Sequence, residues 1–151
     1  MLKKLLDYLF DRKGKIDNQK TVIVVVDDSE VDRRFMTRIL TGKGYTVFAA
    51  GSGDEGLRLV QDKKPSMVFL DFSIPGGLSG KEVCIRLKKD ENLKHIPITF
   101  LTGSIVDGRV IECYDAGAEY YLAKPVDART VLHQVKIMLQ DAGMTFFCSE
   151  I

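Results

Sequence analysis

The sequence predicts an α/β chain, a doubly wound five-stranded parallel sheet with helices on both faces, and three observations predict it. From residue 21 onward, short apolar runs alternate with longer amphipathic segments, the pattern of repeated βαβ units. The run over 21–26 is β-branched with almost no polar interruption, as a central parallel strand covered on both faces requires. Three of the five runs end in charged residues: Asp27 and Asp28 after 22–26, Asp71 after 67–70 and Lys124 after 120–123.

The elements follow in order. After the first strand, residues 29–43 place Val31, Phe35, Ile39 and Leu40 at helical spacing with Arg33, Arg34 and Arg38 on other faces, and Gly44 is a natural terminator. A second strand spans 45–50. Ser52 and Glu55 then form a capping-box pair ahead of Leu57, Leu59 and Val60, and Pro65 closes that helix. The third strand covers 66–71. Pro75-Gly76-Gly77 is a turn, and Ser79 with Glu82 is a second capping box opening a helix through Val83, Leu87 and Lys88. Residues 97–101 make the fourth strand. A weaker helix over 105–116 carries Gly108 inside it and ends at Gly117. The fifth strand spans 119–123, and the last helix, 127–140, turns Val131, Leu132, Val135, Met138 and Leu139 inward before Gly143. In a sheet with right-handed crossovers, ligands sit beyond the carboxyl ends of the strands, where Asp27, Asp28, Asp71, Thr102 and Lys124 all fall.

Composition narrows the function classes. At 151 residues there is room for one ordinary domain and little else. A charged fraction of 28% with a net charge of +1 lacks the basic bias of a nucleic-acid binder, so no direct nucleic-acid partner is expected. Cys84, Cys113 and Cys148 are odd in number and widely spaced, which suggests neither a disulfide framework nor a zinc site and fits reduced thiols in a cytoplasmic protein. No apolar run spans a bilayer, and the start is charged too early for a secretory core. His95 and His133 have no acidic or cysteine partners nearby in sequence and read as surface residues.

Three carboxylates at one sheet edge repel one another, and a divalent cation lets all of them ionise together. Oxygen ligands without His or Cys favour Mg²⁺ or Mn²⁺ over zinc. Lys124 adds a positive charge and Thr102 a hydroxyl, a set suited to binding phosphoryl oxygens, with Asp71 as the nucleophile that forms an acyl phosphate. Each residue also has an ordinary reading. Asp28 or Ser29 can cap the next helix, Asp71 can be a solvated strand end, Lys124 a surface lysine and Tyr121 a packed strand aromatic; their coincidence favours the site.

The stretch 20–140 resembles a response-regulator receiver domain of two-component signalling, of the stand-alone single-domain type. The resemblance is carried by Asp27-Asp28, by Leu70-Asp71-Phe72-Ser73-Ile74-Pro75-Gly76, by Phe100-Leu101-Thr102-Gly103 and by Tyr121-Leu122-Ala123-Lys124-Pro125, all in order and spacing. It implies a flavodoxin-like strand order 2-1-3-4-5. It implies that Asp71 is phosphorylated by a sensor histidine kinase or a histidine phosphotransfer protein. Asp28, Asp71 and the backbone carbonyl of Ser73 would hold Mg²⁺, with Asp27 acting through water, and Lys124 would bond the phosphoryl group. It further implies a cis peptide at Lys124–Pro125. Thr102 and Tyr121 would move together as a switch that alters the surface of the fourth helix, fifth strand and fifth helix for an unknown downstream protein. Ser73 and Ser104 stand where the family tunes phosphoryl lifetime. Ile74 stands where methionine is common.

The expected division is an amphipathic N-terminal segment at 1–19, the receiver domain at 20–141 and a tail at 142–151. Leu2, Leu5, Leu6, Leu9 and Phe10 repeat at helical spacing among six basic and three acidic residues in the first twenty. Such a segment (2–15) can lie on an anionic membrane surface, pair with a partner helix or fold onto its own domain, and the last two rank above the first. Packing of apolar Phe146, Phe147 and Ile151 with that segment, or across a homodimer, is the plain alternative. Three functions compete: a phosphorylation-controlled binding module, a phosphohydrolase using an aspartyl phosphate, and a pseudo-receiver that never handles phosphate. The hydrolase class generally carries a second Asp two residues after its nucleophile, where this chain has Ser73. Within the first function, a phosphorelay shuttle between histidine proteins stays open.

Overall fold

The computed structural model describes residues 20–103 and 107–141; the terminal segments, Ser104 and the expected helix start at Ile105 lie outside them. Strands β1 (Val22–Val26), β2 (Thr46–Ala50), β3 (Met67–Asp71), β4 (Ile98–Thr102) and β5 (Tyr120–Ala123) alternate with helices α1 (Glu30–Gly42), α2 (Gly53–Lys63), α3 (Gly80–Lys89), α4 (Asp107–Asp115) and α5 (Ala128–Leu139). Every strand pair is parallel, and the order is β2-β1-β3-β4-β5, as the resemblance implied.

The two-residue period of a strand sorts the central apolar runs onto two cores. Val24, Val26, Val68, Leu70, Ile98 and Phe100 pack on the side of α2, α3 and α4. Ile23, Val25, Met67, Phe69 and Leu101 pack on the other side, with α1 and α5. This two-sided covering explains why the runs at β1 and β3 are continuous rather than alternating.

Helix starts follow their caps, with one difference from the sequence expectation. At α3 the Ser79 hydroxyl accepts the Glu82 amide while the Glu82 carboxylate accepts the Ser79 amide, a complete capping box. At α2 Ser52 caps Glu55, but the Glu55 carboxylate accepts the amide of Gly51 instead, so only half of the expected box forms. Gly44 (φ 89°) and Gly117 (φ 101°) take the left-handed conformation that ends α1 and α4.

The α1 stripe also departs from the periodicity. Its buried residues are Met36 and Leu40, whereas Val31 is 77% exposed and Phe35 is exposed too. The helix begins only a few residues after β1 ends, so its first turns lie level with the carboxyl edge of the sheet. There, Val31, Phe35 and Met36 line a cavity of about 440 Å³ with Leu101, Lys124 and Pro125. Cys84 and Cys113 are buried free thiols, and burial pushes the Cys84 thiol up to about 12. His95 and His133 are exposed. Among the described residues no helix is long and apolar enough to cross a membrane.

Candidate functional site

The carboxyl ends of β1, β3, β4 and β5 bring the sequence-predicted residues together. Asp27 follows β1 directly and is fully buried, its amide bonded to the carbonyl of Ala50 on β2 (3.1 Å). Asp28 is exposed beside it, and Asp71 is the buried last residue of β3. Carboxylate oxygens of all three lie within 4.8 Å of one another.

Lys124, just past β5, reaches into this cluster. Its Nζ donates to Asp27 Oδ2 (2.7 Å), to Asp71 Oδ2 (3.3 Å) and to Asp32 Oδ2 (3.2 Å). Its backbone N–H donates a hydrogen bond to the Thr102 carbonyl (2.8 Å), and the Lys124–Pro125 peptide is cis, as the resemblance implied. Thr102 is buried at the end of β4, paired in register with Ala123. Ser73 is exposed, and its amide donates to Asp71 Oδ1 (3.2 Å). Tyr121 is half-buried on β5, edge-to-face with Tyr114 of α4 (centroids 6.0 Å apart). Ser104 lies outside the described residues.

Close backbone approach sets the loop after β3. A Cβ on Gly80, the first residue of α3, would collide with the carbonyl oxygen of Asp71, so only glycine lets the helix seat against that strand end. Gly56 does the same for α2 on β1, where a Cβ would meet Val26 at 2.6 Å.

Electrostatics follow from this packing. Burial, and next the charge of Asp27, push the Asp71 carboxyl up to about 7 against the opposing pull of Lys124. At Lys124 burial works to lower the pKa, but the bond to Asp27 and the charges of Asp71 and Asp27 outweigh it and raise it. One ammonium does not balance three converging carboxylates. An oxygen-only donor set with that excess of negative charge fits a hard divalent ion, Mg²⁺ or Mn²⁺, and does not suit zinc.

Three contributors were not singled out from the sequence. Asp32 holds Lys124, a pairing across 92 residues that no local spacing in the sequence signals. Arg33 Nη1 donates to the carbonyls of Asp27 (2.8 Å) and Asp28 (3.2 Å), pinning the acidic loop. Arg109 of α4 lies over the Phe72 ring (4.3 Å to the centroid) and approaches the Ser73 hydroxyl (3.5 Å), a long-range contact with no local sequence signature.

The sequence model of the family described as response regulator receiver domain matches residues 23–136. The transcriptional regulatory protein AfsQ1 of Streptomyces coelicolor is 31% identical over 118 residues, 78% of this chain and 51% of that protein, so the chain spans about half of its length. The polar-differentiation response regulator DivK of Brucella ovis is 30% identical over 80% of this chain and 97% of its own. The crystal structure of the chemotaxis response regulator CheY4 of Vibrio cholerae superposes with a TM-score of 0.74 at 27% identity, covering 79% of this chain and 98% of that one.

Proposed function

The chain belongs to the response regulator receiver family, and from that premise we propose that it is a phosphorylation-controlled signalling switch in which Asp71 is the phosphoacceptor. The observation that carries the reading is Lys124 Nζ lying between the buried carboxylates of Asp27 and Asp71, at 2.7 and 3.3 Å, with an Asp28 carboxylate oxygen within 4.8 Å of theirs. An ammonium at that position can bond a phosphoryl oxygen once Asp71 carries it.

In this reading a sensor histidine kinase or a histidine phosphotransfer protein supplies the group. A carboxylate oxygen of Asp71 bonds to phosphorus as the bond from phosphorus to the donor imidazole nitrogen breaks, and the imidazole leaves with a proton from solvent. Asp28, Asp71 and the Ser73 carbonyl would hold Mg²⁺ (or Mn²⁺), with Asp27 acting through water. The ion, when bound, supplies neutralisation of the charge shared by the carboxylates and the phosphoryl oxygens. Ser73's amide orients the Asp71 carboxylate for attack. Lys124 balances the charge on the phosphoryl oxygens, and Thr102, one step further along β4, supplies a hydroxyl to them. Ser73 and Ser104 set the access of water and so the lifetime of the phosphoryl group.

Output in this reading runs through Thr102 and Tyr121 to the face formed by α4, β5 and α5, which a downstream protein binds. Residues 20–141 are the receiver, working in the cytoplasm, with the segments on either side as appendages.

Incubating the protein with acetyl phosphate and Mg²⁺, then mapping the modification by peptide mass spectrometry, tests the proposal. One phosphoryl group on Asp71, lost in Asp71→Asn and without Mg²⁺, is the expected result. A label elsewhere, or none, removes it.

A further inference from the structure

Lys124 has three N–H donors, and all three are spent within the protein, on Asp27, Asp71 and Asp32. A phosphoryl oxygen on Asp71 can gain the ammonium only if one of those bonds is released. Asp27 is poorly suited to release it: its contact is the shortest, its side chain is fully buried, and its other oxygen accepts the Ser29 amide at 2.9 Å. Asp71 is the residue that reacts. Asp32, with its side chain 46% exposed, can exchange the lysine for water at the least cost.

Asp32 is also held in place rather than drifting there. The Ser29 hydroxyl caps its amide (3.3 Å), Ser29's own amide is bonded to Asp27, Asp27 bonds Lys124, and Lys124 returns to Asp32. This closed circuit joins the first turn of α1 to the turn after β5, two segments 92 residues apart in sequence. Asp32 stands apart from the three carboxylates that converge within 4.8 Å, so its charge is added to the lysine and not to the ion-binding cluster.

We propose that Asp32 is a positioning residue that tethers Lys124 in the unmodified state and so restrains transfer of a phosphoryl group to Asp71. The proposal rests on the receiver reading above. Releasing the tether leaves an N–H of Lys124 free for the incoming phosphoryl oxygens, so transfer quickens.

The test is the rate of Asp71 phosphorylation by acetyl phosphate with Mg²⁺ in four full-length proteins: wild type, Asp32→Asn, Lys124→Met and the double variant, each checked for folding by circular dichroism. Asp32→Asn is expected to speed phosphorylation about fivefold, the scale of a half-exposed ion pair converted to a rate, and the gain is expected to vanish when Lys124 is methionine. An equal gain in both lysine backgrounds would mean that Asp32 acts on the anionic donor through space, and would overturn the proposal. So would an unchanged or slower Asp32→Asn. Wild-type protein that takes no label on Asp71 overturns the receiver reading and this inference together, whereas labelled wild type with an unmoved Asp32→Asn rate overturns this inference alone.

Discussion

β3 and β5 both end at the candidate site, yet every residue of Met67–Asp71 is buried while every residue of Tyr120–Ala123 is only half covered. β3 lies between β1 and β4 with helices over both faces, and Phe69 and Leu70 are fully buried on its opposite sides. β5 is, with β2, one of the two edge strands of the sheet. Its neighbour α4 leaves Ile111 60% and Tyr114 52% exposed, and Tyr114 is the ring that meets Tyr121. The difference matches the two tasks of the proposed switch. A reacting carboxylate needs a strand that does not move, because a displacement of an ångström spoils the alignment of attack. An element that reports a charge change needs to be loosely held, so that a small free energy shifts its population.

The contrast can be broken first at the covered side. Phe100 is fully buried on β4 and edge-to-face with Phe72 at 5.1 Å, so Phe100→Ala is expected to cost about 4 kcal/mol in urea unfolding, from lost burial and the cavity left behind. A loss below about 1 kcal/mol would mean that the centre of the sheet is not the rigid platform described.

Asp71 itself gives the next largest effect, with the opposite sign. Its carboxyl is pushed up to about 7 by burial and by Asp27, from 3.8. A carboxyl raised in the folded state costs nothing below its unfolded pKa. The cost grows as pH climbs from about 4 to 7 and is complete above that. Asp71→Asn is therefore expected to stabilise the metal-free protein at pH 8 by up to about 4 kcal/mol, roughly 3 pKa units at about 1.36 kcal/mol each, with the gain fading toward pH 4. Thermal melts across that range check it, and a gain that does not depend on pH would contradict the electrostatic account. Added Mg²⁺ should raise the melting temperature of the wild type more than that of Asp71→Asn.

The smallest effect belongs to the loose side. Ile111→Ser and Tyr114→Ser on α4 should change stability by less than about 0.5 and 1 kcal/mol respectively, since both side chains are mostly in water already. If α4 is the binding face, the same substitutions weaken capture of a partner by the beryllofluoride-loaded protein far more than they alter melting.

Much of this was readable beforehand because it lies in local pattern. Continuous apolar runs fixed the central strands, and charges at strand ends fixed Asp27, Asp28, Asp71 and Lys124 at one edge. What escaped depended on three dimensions. Periodicity alone put Val31 and Phe35 on the α1 stripe with Leu40, whereas the buried positions are Met36 and Leu40, because the helix's first turns stand at the edge of the sheet. The pairing of Asp32 with Lys124 joins distant segments, and no spacing rule reaches across such a separation. Glu55 illustrates a closer failure: its capping-box spacing is right, but the amide of Gly51 takes the carboxylate.

Amide hydrogen exchange with and without beryllofluoride and Mg²⁺ tests most directly the claim that a charge change on the covered strand is reported by the half-covered edge. The account predicts that exchange in α4 and β5, residues 107–123, changes by about tenfold or more while the amides of β1 and β3 stay protected. A change confined to the loops carrying Asp27, Asp28 and Ser73, with α4 and β5 unmoved, would contradict it.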